Sequence, residues 1–160
     1  MAQVFACEFP DDYWFDVDKD VWIFPLPSGV LRLGMTDPAQ TRSGRILHVR
    51  AKAGKTVKEG KNVATIESAK WVGPFPAPFE GNIVGVNEKV LADPNIINRD
   101  PYGEGWIVEF RAGTSWPGPH LIKGVDVAPF YRNKLKDEGI TCIRCEPVDS
   151  DSLERFNDAF

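Results

Sequence analysis

What is scarce in this sequence narrows the field first. Its 160 residues hold three cysteines, an odd number, which argues against a secreted disulfide framework. Only His48 and His120 represent histidine, so a complete zinc site would need ligands gathered by coincidence of folding. No apolar run approaches the length of a membrane span. Charge of one sign does not dominate: 19 Lys and Arg stand against 23 Asp and Glu, net −4, and the basic residues are scattered. Neither a nucleic acid nor an anionic membrane is indicated as a partner. No Ser-His-Asp set, phosphate-cradling glycine loop or complete metal motif appears, so enzyme readings start poorly. Met1 to Pro10 has no basic region followed by an apolar core, so no secretory signal is read and a cytoplasmic setting is expected.

What is present is a globular composition, 42% hydrophobic and 26% charged, of a length that suits one domain with a modest core. The chain is organised around Glu67-Ser68-Ala69-Lys70-Trp71. Before it, Asn62 to Ile66 is rich in β-branched residues; after it, Val72 to Pro78 holds three prolines and a glycine, through which no helix continues. The pattern predicts a hairpin with Lys70 at its exposed end. Taken alone, Lys70 is an ordinary solvated lysine. Its neighbourhood changes that reading. Gly44 to Lys52 and Gly81 to Lys89 look like copies, with Gly44 and Gly81, Ile46 and Ile83, Val49 and Val86, and Lys52 and Lys89 in register. Each copy is followed by a turn-bounded strand, Asn62–Ile66 and then Trp106–Phe110. Two β-units related by a pseudo-two-fold are expected, with Lys70 on the connection between them. That is the layout of a lipoyl or biotinyl domain.

Along the rest of the chain, Pro10 to Asp20 reads as a turn and irregular segment. Val21–Phe24 and Val30–Met35 read as a hairpin about Pro25–Gly29. Thr36 or Asp37 caps a helical turn with Pro38 in its first turn. Gly113 to His120 is linker-like. Asp126 is expected to cap a helix running to about Glu138 and stopped by Gly139, with Val127, Phe130, Tyr131 and Leu135 facing the core. Ile140–Cys145 reads as a last strand and Ser150–Phe160 as an acidic helical stripe.

Cys142-Ile143-Arg144-Cys145 has the spacing of a redox pair or of half a zinc knuckle. Two reduced thiols on a C-terminal strand is the preferred reading. A reversible Cys142–Cys145 disulfide, and pairing of one of them with Cys7, stay open.

The stretch from about Val21 to Phe110 resembles the glycine cleavage system H-protein family of lipoyl carriers. Three motifs carry the resemblance: Glu67-Ser68-Ala69-Lys70 followed by Ala77-Pro78; Gly34-Met35-Thr36-Asp37 with Ala39-Gln40; and Asp100-Pro101-Tyr102-Gly103-Glu104-Gly105-Trp106, preceded by Val86-Asn87-Glu88 and Asn98. The resemblance implies a mainly β fold, a flattened barrel-sandwich hybrid of two pseudo-two-fold-related sheets with short helices and a C-terminal helix. It divides a single domain, 1–160, into an N-terminal extension (1–20), a lipoyl-type β-sandwich (21–110) and a linker with C-terminal helical extension (113–160). It implies a carrier that catalyses nothing alone, with lipoate in amide linkage to Lys70. Glu67 and Ser68 would be read by the lipoate attachment enzyme or would shape the turn. No metal is implied. Biotin is disfavoured, since Ala69 and Trp71, not methionines, flank the lysine.

Two departures from the family pattern matter. Asp20-Val21-Trp22 stands where glycine-cleavage carriers have His-Glu-Trp, and Val21 cannot balance an ammonium. Trp71-Val72-Gly73-Pro74 replaces a small, polar run. With Cys7, Pro10, Asp12 and Cys142/Cys145, these features are closer to the lipoate-binding proteins that resemble H-proteins and serve sulfur oxidation alongside a heterodisulfide-reductase-like complex. The expected role is therefore a lipoyl arm carrying sulfur by thiol–disulfide exchange, with Cys7, Cys142 and Cys145 as candidate redox residues. The alternative is the H-protein of glycine cleavage, whose partners are glycine decarboxylase, the aminomethyl transferase and dihydrolipoyl dehydrogenase.

Overall fold

The computed structural model describes residues 1–144. Its framework is two antiparallel sheets stacked face to face. The larger has seven strands. β3 (Trp14–Asp16), β4 (Val21–Pro25) and β5 (Leu31–Met35) come first in the chain; β7 (Thr56–Val57), β10 (Gly81–Val86), β11 (Val108–Ala112) and β12 (Leu121–Lys123) complete it, in the order β12-β3-β4-β5-β11-β10-β7. The smaller has three strands: β6 (Ile46–Arg50), β8 (Asn62–Ser68) and β9 (Val72–Pro76), in the order β6-β8-β9. A separate hairpin pairs β1 (Ala2–Val4) with β2 (Cys7–Phe9). Four helices fill the connections: α1 (Asp37–Ser43), α2 (Glu88–Ala92), α3 (Ile96–Arg99) and α4 (Ala128–Glu138).

Residues that alternate inward from the two sheets, among them Ile23, Leu33, Ile66, Phe75, Ile83 and Phe110, form the principal core. A second core lies between the large sheet, the N-terminal hairpin and α4. There Phe9 stacks on Tyr131 with ring centroids 4.3 Å apart, beside Phe15, Trp22 and Leu135. Burial of such side chains contributes roughly 1.5–3 kcal/mol each and is what holds α4 in place.

The two repeated segments become β6 and β10. Each pairs antiparallel with the strand that follows in its unit, β6 with β8 and β10 with β11. Each carries one bulge, between Ile46 and His48 in the first and between Ile83 and Gly85 in the second. The residues squeezed out, Leu47 and Val84, are both exposed apolar side chains. A shared irregularity at matching positions is a stronger mark of duplication than shared residue types, since a bulge resets which side chains face the core.

The expected Val21–Met35 hairpin forms, with Val21 opposite Met35 and Pro25 opposite Leu31. Thr36 caps α1, its hydroxyl accepting from the Ala39 N–H at 3.3 Å. Several expectations fail. Pro10 to Asp20 is not irregular throughout, because Trp14–Asp16 is a strand held between β4 and β12. The second unit's strand starts at Val108, not Trp106. Gly113 to His120 is no free linker: Trp116 packs on Phe79 and Trp14, at 5.1 and 5.6 Å between centroids. Asp126 caps nothing, since it sits inside a 3₁₀ turn, Gly124–Asp126, and Val127 takes the cap position of α4. Gly139 does stop that helix, at φ 68°. Val127, Tyr131 and Leu135 are buried, one stripe at a spacing of four residues; Phe130, a third of a turn away, is 52% exposed. Residues 140–144 form no strand, although the Cys142 N–H donates to the Phe5 carbonyl at 3.0 Å. Cys145 and the Ser150–Phe160 stripe lie outside the described residues.

Candidate functional site

β8 and β9 meet in a tight turn at Ser68–Trp71. The Ser68 N–H donates to the Trp71 carbonyl at 2.8 Å, and the Lys70 N–H donates to the Ser68 hydroxyl at 3.3 Å. Ser68 is thus a buried turn-maker, and the residues beyond it, Ala69 through Val72, are exposed. Glu67, the penultimate residue of β8, is half-buried, opposite His48 on one side and Val72 on the other, with no ion-pair partner among the described residues.

Lys70 projects from the tip and also has no ion pair among the described residues. Its stem lies over Gly44, where an added Cβ would come within 2.8 Å of Lys70 Cε. Gly44 ends α1 at φ 72°, its N–H donating to the Gln40 and Thr41 carbonyls. The positive φ calls for glycine there, and its bare Cα leaves room for the lysine stem as it lies.

Two hollows flank the tip. An open one of about 550 Å³ is bounded by Lys70, Thr41, Arg42, Glu138, Ile140 and Thr141. A deeper one of about 490 Å³ has an apolar wall of Met35, Ile66, Trp71, Pro74 and Phe75 and a polar rim of Asp18, Lys19, Asp20 and Arg42. Arg42 belongs to both. Its guanidinium pairs with Asp20 at 2.6 Å and with Glu138 at 2.8 Å. Burial disfavours the Arg42 charge, but the two carboxylates outweigh it and raise its pKa. Asp20, buried and at φ 55°, also accepts from Lys134 at 3.1 Å and from the Tyr131 hydroxyl at 2.9 Å. Asp18 is the one rim carboxylate that is exposed and free of an ion pair among the described residues. Val21 is fully buried in the principal core and does not line either hollow.

Cys7 and Cys142 form a disulfide, their Cα atoms 4.8 Å apart. This overturns the preferred reading of reduced thiols. It also takes both sulfurs out of any zinc set, and it joins β2 to the segment after α4 in place of bridging the Cys142–Cys145 pair. The bridge fixes a stretch whose Ile140 and Thr141 wall the hollow beside Lys70. Around it, the Gln40 side chain and the Thr41 hydroxyl donate to the Ile143 carbonyl at 2.8 and 3.1 Å, and Arg144 pairs with Glu8 and Asp37. Sequence reasoning reached Lys70, Glu67 and Ser68 but missed Asp20 and Arg42. Their pairing spans α1 and the β3–β4 turn, and no local spacing announces it.

A stacked antiparallel sandwich that offers one lysine at a hairpin tip, beside hollows roomy enough for a long acyl chain, defines a carrier of the lipoyl type. Residues 13–131 match the glycine cleavage H-protein family, and the chain belongs to that family. It is 53% identical over 145 residues to glycine cleavage system H protein 3 of Aquifex aeolicus, covering 88% of this chain and 90% of that one. It is 38% identical over 143 residues to a probable glycine cleavage system H protein 2 of Sulfolobus acidocaldarius, covering 88% and 96%. A crystal structure of a glycine cleavage system H protein from Mycobacterium marinum superposes with a TM-score of 0.63 at 28% identity, over 82% of this chain and 99% of that one. Members of the family carry lipoate covalently on a lysine and are not themselves catalysts. No helix among the described residues is long and apolar enough to cross a membrane.

Proposed function

We propose that Lys70 bears the lipoyl group, and that the chain serves as a glycine-cleavage-type carrier between an attachment enzyme, glycine decarboxylase, the aminomethyl transferase and dihydrolipoyl dehydrogenase. The observation that carries the reading is Lys70 itself: an exposed amine at a hairpin tip, unpaired among the described residues. The residues fit the group. An acylated lysine loses its charge, and here no ion pair among the described residues is lost with it; the apolar wall of the deeper hollow suits an aliphatic chain. Lipoate supplies a dithiolane that is opened and closed by two-electron redox chemistry. The chain's own part is positional. Ser68 sets the turn, Gly44 clears the path of the stem, and Asp18 offers a free carboxylate on the rim for a cationic cargo. The relatives' names support this assignment.

A second reading, sulfur carriage beside a heterodisulfide-reductase-like complex in a cytoplasmic pathway, has its own observation. Val21, buried in the core and outside both hollows, offers no carboxylate to balance an ammonium, and Asp20 is fully engaged. The redox readings of Cys7 and Cys142 belong with it, the bridge being their oxidised form.

Intact mass of protein made in a lipoylating host tests the site: one lipoyl adduct is expected, abolished by Lys70→Arg. Lipoylated protein offered to glycine decarboxylase and the aminomethyl transferase tests the cargo. Efficient turnover is expected, and failure would favour the sulfur reading.

A further inference from the structure

Trp71 follows the acceptor lysine directly and is a large apolar side chain left 42% exposed. Its main chain is held in the turn and its ring has a defined seat. Its carbonyl accepts from Ser68 in the turn, and its indole folds back over Gly73, where any Cβ would overlap the six-membered ring at Cζ2, Cε2 and Cη2. Only glycine at 73 lets the ring lie there. So placed, Trp71 lines the deeper hollow together with Pro74, Phe75 and Arg42. The hollow is apolar on the hairpin side, and no side chain among the described residues fills it.

From these contacts we infer that Trp71, propped on Gly73, is a positioning residue for the arm, a face against which the sulfur end of the chain on Lys70 rests between visits to partners. The inference depends on lipoate being at Lys70. Its physical basis is that divalent sulfur packs favourably against aromatic rings, while a flexible chain has conformational freedom to lose and settles only where such contacts exist. Pro74 stiffens the strand that carries the prop, and Arg42 on the rim is tied to both Asp20 and Glu138.

The test uses lipoylated full-length protein and reads the arm directly. A disulfide in contact with an indole quenches its emission, so lipoylated wild type should fluoresce less than unmodified protein and recover when the dithiolane is reduced. Trp71→Ala should abolish that difference, leaving the steady background of Trp14, Trp22, Trp106 and Trp116. In the reduced state, alkylation of the arm's thiols should run roughly two- to tenfold faster in Trp71→Ala than in wild type, the span expected for losing a sulfur–aromatic contact. Gly73→Ala, which keeps the indole but displaces it, should give an intermediate rate. Circular dichroism should be unchanged for both variants. Equal alkylation rates with no redox-dependent quenching would overturn the inference while leaving the lipoyl adduct on Lys70 intact. Absence of any adduct on Lys70 would instead remove the proposed function, and this inference with it.

Discussion

Arg42 donates to Asp20 at 2.6 Å, and in doing so ties the last turn of α1 to the turn before β4 across the mouth of the deeper hollow. Asp20 is nearly buried and serves Lys134 and Tyr131 as well. Asp20→Asn would leave two cations and a hydroxyl around a neutral amide. Breaking a buried ionic cluster on one side costs about 3–5 kcal/mol; because Arg42 is partly exposed, a loss of about 2–3 kcal/mol is expected. A denaturant titration checks it, and a change below about 0.5 kcal/mol would refute the cluster's role.

Alkaline stability should fall steeply. Burial pushes the hydroxyls of Tyr131 and Tyr102 well above the ordinary range, with Asp20 adding to the effect at Tyr131. The folded state therefore keeps protons that the unfolded chain releases above about pH 10. This contribution is complete below that pH and is lost as pH rises through the folded values. Tyr131→Phe should flatten the alkaline limb, at a cost of about 1 kcal/mol at neutral pH for the lost hydrogen bond to Asp20. Unfolding free energies measured between pH 7 and 11 would show both effects.

The Cys7–Cys142 bridge closes a loop with a sequence separation of 135. On the chain-entropy account, reduction should lower stability by on the order of 4–5 kcal/mol. Cys7→Ser should behave like reduced wild type and be insensitive to reductant. Matching urea midpoints with and without reductant in wild type would argue that the bridge does not form in solution.

Asn98 is fully buried and makes four connections. Its amide donates to the Gln40 side chain at 3.1 Å and the Gly44 carbonyl at 2.8 Å, and its oxygen accepts from the Ile46 N–H at 2.9 Å and from Asn95 at 3.0 Å. Asn98→Ala leaves the Gly44 carbonyl and the Ile46 N–H without these partners, and a loss of about 2–4 kcal/mol is expected. Because Gly44 lies under the stem of Lys70, lipoylation in vitro should slow as well. Comparing modification rates with Asn98→Asp separates local geometry from global stability.

If the cargo is cationic, Asp18→Asn should slow aminomethyl transfer by about two- to fivefold, the worth of an exposed ion pair, and leave lipoylation untouched. Steady-state transfer assays at low and high salt decide it, since the wild-type advantage should shrink with salt.

The hairpin around Lys70 was readable because its signals are local: a β-branched run, a glycine, three prolines. The start of α1 and the end of α4 were readable for the same reason, through Thr36 and Gly139. What escaped reading depends on distant partners. Trp14–Asp16 becomes a strand only because Val21–Ile23 and Leu121–Lys123 lie on either side of it, and its acids and aromatics carry no alternation that says so. Cys7 finds Cys142 across nearly the whole chain, whereas spacing drew attention to Cys145. Phe130 fits the helical stripe on paper, but the N-terminal hairpin covers only the face of Tyr131.

The matched bulges at Leu47 and Val84 make the two halves comparable residue by residue. Ser68 lies opposite Ile46 as Phe110 lies opposite Ile83, and two places further along stand Lys70 in one half and Ala112 in the other. A methyl group has no nitrogen to acylate. If Lys70 bears the lipoyl group, the two similar halves of the described residues share a single tether at one end, and each copy delivers one passenger from that side.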